Sequence, residues 1–257
     1  MRLIRYGYAY RALVLKQVRR FLRAWVQNLL PSVVTALLFL VVFGQLIGRE
    51  LGDMAGVPYA DYILPGLVAL AVATNAYNNV TLAFYGARLQ RHIEELLVAP
   101  LPAWLIIAGY VSAGVLRGLI AGGLVLLVAL PLTGLQLHHP GTTLAIALLT
   151  ALLFACAGLI NGLFARSFEH TSVVATFVLT PLIYLGGLFY PIARLPEAWQ
   201  TVAAANPMVY IIDGFRHGLL GLDGLAPGMT LAVLAGAATA TALVAWALVV
   251  KGVRIRS

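Results

Sequence analysis

The 257-residue sequence holds one cysteine, two lysines and nine acidic residues, and each shortage excludes a kind of chemistry. A lone cysteine, Cys156, forbids an intramolecular disulfide and any CxxC motif, and its place inside an apolar run makes it a small packing residue. A P-loop needs Gly-Lys followed by Ser or Thr so that backbone amides and the lysine hold phosphates, but Lys16 follows Leu15 and Lys251 follows Val250. HExxH and GxSxG are missing too, which removes two common routes to hydrolysis within a membrane. His138 and His139 are the only paired histidines; adjacent side chains rarely converge on one ion, so no metal site is expected there. The chain is therefore expected to be no enzyme, with no catalytic residue and no cofactor of its own.

Charge is equally scarce. Only 10% of the residues are charged and 61% are hydrophobic, with mean hydropathy +0.94, where a soluble domain carries about 25% charged residues. Six apolar runs, at 29–48, 62–85, 105–131, 142–164, 172–190 and 229–250, each approach the about 20 helical residues that cross a bilayer core. This predicts an all-α membrane protein with six transmembrane helices and both termini on one side. The first run follows 28 basic, amphipathic residues, so it reads as a retained span rather than a signal peptide. What lies outside the runs is too short to bury a separate soluble core.

The net charge of +8 follows membrane topology rather than nucleic-acid binding. Thirteen of the seventeen Lys and Arg fall in residues 1–28, in the second and fourth loops and after Val250. Three, Arg49, Arg194 and Arg216, fall on the other side, and Arg117 lies inside a span. By the positive-inside rule both termini face the cytoplasm.

At 100° per residue, Arg2, Arg5, Lys16, Arg19, Arg20 and Arg23 share one arc, while Leu13, Val14, Phe21, Leu22 and Trp25 take the opposite side. Residues 1–28 thus read as an amphipathic helix in the membrane interface, anchoring the chain to anionic lipid or serving a mechanical role. In the second loop, Leu89, Ile93, Leu96 and Leu97 recur at helical spacing among charges, predicting a short cytoplasmic helix over about 87–99 that stops near Pro100. Residues 191–228 alternate turn residues with apolar patches and predict short helices re-entering the outer leaflet, backbone that only surrounding protein or water can satisfy.

Polar residues inside the spans are few. Arg117 is costly in a bilayer, at about 2.5–3.5 kcal/mol on insertion scales, and must face protein or water. Its expected partner is a backbone carbonyl or the Asn75, Asn78 and Asn79 group ahead of a substrate. Asn161 adds an amide in the fourth span. These five residues either bind helix to helix or line a passage. Gly114, Gly118, Gly122 and Gly123 let helices approach closely.

Three ordered segments carry a resemblance over the whole chain: the basic amphipathic N-terminus, Arg91-His-Ile-Glu-Glu-Leu-Leu-Val-Ala-Pro100, and Pro191…Pro196…Trp199-Gln200…Asn206-Pro207-Met-Val-Tyr210…Phe215-Arg216. Together they resemble the ABC-2 type transporter permeases, the membrane subunits of ATP-binding-cassette exporters, and most of all small bacterial permeases that move lipo-oligosaccharides or drugs. The resemblance implies a homodimer working with two copies of an ATPase subunit, which binds ATP and Mg. It implies that the helix with Arg91, Glu94, Glu95, Leu96 and Leu97 and the N-terminal helix dock on that ATPase. It further implies that Asn206, Pro207, Tyr210 and Arg216 belong to re-entrant outer helices, and that the pathway carries an amphipathic or lipid-linked substrate.

Three alternatives compete. A secondary transporter or channel acting without an ATPase would place coupling acids deep in the spans, and no Asp or Glu lies well inside one. An intramembrane lipid-modifying enzyme would need converging nucleophile, base or metal ligands, whereas only scattered Ser, Thr and Tyr are present. A non-transporting subunit for envelope assembly is not separable from a permease by sequence.

Overall fold

A computed structural model describes residues 2–90, 92, 101–135 and 137–252. The chain opens with α1 (Arg2–Arg23), turns at Ala24 into α2 (Trp25–Phe39), and continues through a π-helical stretch, Leu40–Ile47, into the short α3 (Gly48–Leu51). A two-stranded antiparallel hairpin, β1 (Asp53–Met54) and β2 (Val57–Pro58), leads into the 31-residue α4 (Tyr59–Leu89). Then come α5 (Ala103–Ala129), α6 (Pro140–Phe164), α7 (Phe168–Val174), a π turn at Ala175–Leu179 and α8 (Thr180–Leu185). Two short helices, α9 (Glu197–Ala204) and α10 (Pro207–Leu220), precede α11 (Pro227–Val250).

Among the described residues six helical segments are long and apolar enough to cross a membrane: Trp25–Gly44, Tyr59–Leu89, Ala103–Leu132, Pro140–Phe164, Phe168–Leu185 and Pro227–Val250. Each overlaps one of the six runs read from the sequence. The ends differ where helix geometry outlasts hydropathy. The second span keeps going past its apolar run because Arg88 donates to the carbonyls of Gly162, Leu163 and Ala165 at the end of α6, where a helix leaves its last oxygens unbonded.

α4 is the axis of the molecule. Its buried residues lie on every side, and a helix that is apolar all round belongs inside a bundle. α5 and α6 close on it through glycines. A Cβ added at Gly118 would sit 2.8 Å from the Val72 carbonyl oxygen, and one at Gly158 only 2.4 Å from that of Tyr77. Gly114 and Gly122 likewise face α4, whereas Gly123 points to open space. Small residues thus let three backbones meet, the packing that substitutes for hydrophobic collapse in lipid.

The outer spans are different. α2, the α7–α8 segment and α11 leave large apolar side chains exposed, among them Leu38 at 60%, Phe177 at 73% and Leu243 at 58%. Such a surface is stable against acyl chains or another protein, not water. In the fifth span Pro181 has no N–H to give Phe177, and the helix widens into its π turn just before the proline.

Candidate functional site

The polar side chains of the bundle gather at two levels along α4. Midway along it, Asn75 and Asn79 sit one helical turn apart on the same face, and each engages an arginine from another helix. Arg117 on α5 donates through Nε to Asn75 Oδ1 at 3.3 Å and through Nη2 to the Asn28 carbonyl at 2.9 Å. Asn75 in turn donates to Ser32 Oγ at 2.7 Å and to the Ala71 carbonyl at 2.9 Å. Arg20 on α1 donates through Nη2 to both the carbonyl and Oδ1 of Asn79, at 3.0 and 3.1 Å. Asn28 completes the corner by donating to the Phe21 carbonyl at 2.9 Å.

Among the described residues no carboxylate pairs with Arg20 or Arg117; amides and carbonyls alone hold the two cations. The cluster joins α1, α2, α4 and α5, and α1 itself lies on α5 through Leu13, Gln17 and Phe21, all buried. Its outer side forms a groove bordered by Lys16, Arg19, Arg20 and Arg23. Asn78 is half-buried and makes no hydrogen bond among the described residues. Asn161 belongs elsewhere: it donates to the Thr171 carbonyl at 3.0 Å, tying α6 to α7. Arg91, Glu94, Glu95, Leu96 and Leu97 lie outside the described residues.

Near the N-terminal end of α4, α10 is clamped by its first residues. Asn206 accepts from the Met208 N–H at 2.9 Å as N-cap, donates to the Leu182 carbonyl at 2.6 Å, and is followed by Pro207 in the first helical turn, where a missing N–H costs nothing. Tyr210 donates its hydroxyl to the Ala204 carbonyl, folding α9 against α10. Arg216 is buried, its guanidinium carbon 4.0 Å from the centre of the Tyr62 ring, and it donates through Nη2 to the Gly187 carbonyl at 2.5 Å. Burial lowers the Arg216 pKa from its ordinary value, an effect that nearby Tyr62, Asp213 and Tyr59 oppose. A cavity of about 630 Å³ opens beside it.

Arg20 was readable only as one of six cations on an arc, although Gln17, a polar residue on the apolar side, marks where α1 is buried. Asp213, three residues before Arg216 on the same helix, is a second residue the sequence reading passed over. No group of three His, Cys, Asp or Glu that could hold a metal occurs among the described residues.

This bundle of six spans, with an amphipathic helix before the first and two short helices before the last, also has relatives. The family profile of the ABC-2 type transporter matches residues 8–220. The chain belongs to the ABC-2 type transporter family. It is 47% identical over 252 residues to the inner membrane transport permease YadH of Escherichia coli (strain K12), covering 98% of both chains. Nodulation protein J of Rhizobium leguminosarum bv. trifolii is 29% identical over 200 residues, 77% of this chain and 76% of that one. Nodulation protein J of Rhizobium meliloti (strain 1021) is 27% identical over 221 residues, 84% of each. As an ABC-2 permease with six apolar helices, the chain is a multi-pass transport protein of the inner membrane.

Proposed function

We propose that this ABC-2 permease is the membrane half of an exporter, forming with a second copy the pathway for an amphipathic or lipid-linked substrate, and that a separate ATPase subunit, present in two copies, powers it. The observation that carries the reading is near-full-length likeness to a transport permease in a sequence without a P-loop. A permease that cannot bind nucleotide must receive work through contact with a protein that does.

The cluster around α4 supplies the linkage. In this reading α1 lies on the cytoplasmic surface and docks on the ATPase, as does the segment that carries Glu94 and Glu95. A displacement of α1 is carried by Arg20 into Asn79 of the most buried span, and four residues further along α4 Asn75 and Arg117 share it with α2 and α5. Hydrogen bonds to charged groups are stronger than neutral ones, which suits them to transmit force. The exposed apolar faces of α2 and the fifth span then meet either lipid or the second copy, and α9 and α10 re-enter the outer leaflet.

The test is reconstitution. The permease is co-expressed with candidate ATPase subunits, purified, and placed in vesicles. ATP-dependent movement of cargo that requires both proteins is expected, and Glu94→Ala with Glu95→Ala should lower substrate-stimulated ATP hydrolysis while the permease stays folded. Full cargo movement by the permease alone would sink the proposal.

A further inference from the structure

The cavity beside Arg216 is a built site with charges of both signs. It is lined by Tyr62 of α4, by Gly186, Pro191 and Ile192 after the fifth span, and by Asp213, Arg216 and Asp223 on and after α10. Its volume of about 630 Å³ lies in the range of small-molecule sites. Arg216 is 8% exposed, and of its three guanidinium nitrogens only Nη2 has an acceptor among the described residues: Nε is sealed out of a ligand's reach, which leaves Nη1 as the donor open to one. Buried donors normally find partners, so this cation has bonding capacity that the protein leaves unused.

The carboxylates complement it. Asp213 spends Oδ2 on the Leu225 N–H at 2.8 Å, and Asp223 lies exposed in the loop after α10. No ion pair joins either to Arg216 among the described residues. One cation against two carboxylates disfavours a simple anion. It suits a head group with a negative centre for the guanidinium and, a few ångströms away, an ammonium for the acids. Much of the remaining wall, including Ile192, Ala193, Val209 and Leu222, is apolar and accepts a hydrocarbon body, with Gln200 and Tyr210 as its polar members.

We propose that this cavity binds a zwitterionic phospholipid of the phosphoethanolamine type, its phosphate on Arg216, its ammonium between Asp213 and Asp223, and its acyl chains along the apolar wall. The site belongs to the permease chain alone and does not depend on an ATPase.

Delipidated permease in detergent is titrated with dihexanoyl phosphatidylethanolamine, its phosphatidylglycerol counterpart, free glycerophosphoethanolamine and dodecylamine, with binding read by native mass spectrometry. The ethanolamine lipid is expected to bind about tenfold tighter than each of the others. Asp213→Asn and Asp223→Asn should erase its preference over phosphatidylglycerol, and Arg216→Gln should weaken both lipids. The two Asp variants test the site even if the buried arginine proves necessary for folding. Equal binding of the two lipids to the native chain overturns the proposal, as does preference unchanged in both Asp variants. Equal binding by the free head group would reassign the site to a soluble ligand, and by dodecylamine to a plain cation; either overturns the lipid assignment. Because no ATPase is present, none of these results bears on export.

Discussion

Arg20 and Asn79 are joined twice: one guanidinium nitrogen of the surface helix α1 reaches both the carbonyl and the side-chain oxygen of a buried residue in the central span. Arg20 is exposed as a residue, yet its guanidinium reaches Asn79 inside the protein. A charged head group held by buried acceptors in this way joins the surface helix to the core. Arg20→Gln should keep α1 seated, since Leu13 and Phe21 bury it independently, yet lose the double bond to Asn79. We expect a several-fold fall in substrate-stimulated ATP hydrolysis of the reconstituted complex, with the melting temperature of the permease little changed. Unaltered stimulation in a folded variant would show that force does not travel by this route.

Asn75 and Arg117 are coupled across α4 and α5, and their energetics follow from the neighbours each keeps. Asn75→Leu removes the acceptor of Nε but leaves the Asn28 carbonyl on Nη2. Leaving a buried donor unpaired costs about 1–3 kcal/mol. Arg117→Met removes the buried cation instead and leaves Asn75 Oδ1 without its donor, so each single variant strands one partner of the contact and the double variant strands neither. The double variant should therefore be more stable than the sum of the singles by about 1 kcal/mol, read by denaturation in mixed micelles as a double-mutant cycle. Strict additivity would mean that the 3.3 Å contact contributes nothing.

The six spans were legible because a bilayer imposes one length and one composition on each crossing. The ends were less so. Hydropathy stops the second run at Tyr85, but Arg88 continues the helix by wrapping onto the carbonyls of α6, a partner that only the fold brings near. The same holds within the polar set. Asn75, Asn78 and Asn79 look alike in sequence, yet only the first and last share the face toward Arg117 and Arg20, and Asn161 belongs to a different seam. Arg216 was picked out as part of a motif, while its ring partner Tyr62 lies in another span and left no trace in the local pattern.

Close backbone packing predicts an asymmetric response to small substitutions. At Gly158 an added Cβ meets a carbonyl oxygen of α4, which cannot rotate away, while at Gly123 nothing lies within 4 Å. Overpacking typically costs about 1–3 kcal/mol, and more where backbone is the obstacle. Gly158→Val should therefore lower folded yield and melting temperature sharply, whereas Gly123→Ala should be neutral or slightly stabilising because alanine is the better helix former. Equal tolerance at both positions would mean that α6 does not sit this close to α4.

Orientation in the membrane is tested with the chain's own single thiol as the silent background. Cys156 is 1% exposed inside the bundle, so an impermeant maleimide should leave the native protein unmodified. Leu137, 50% exposed between α5 and α6, and Lys251, exposed just beyond α11, lie in loops separated by an odd number of spans and hence on opposite sides. The thirteen-to-three distribution of Lys and Arg predicts that the Lys251 side faces the cytoplasm. In spheroplasts, Leu137→Cys should be labelled at once and Lys251→Cys only after the membrane is permeabilised. The reverse order would turn the molecule over, placing the basic helix α1 outside and removing the surface on which an ATPase could act.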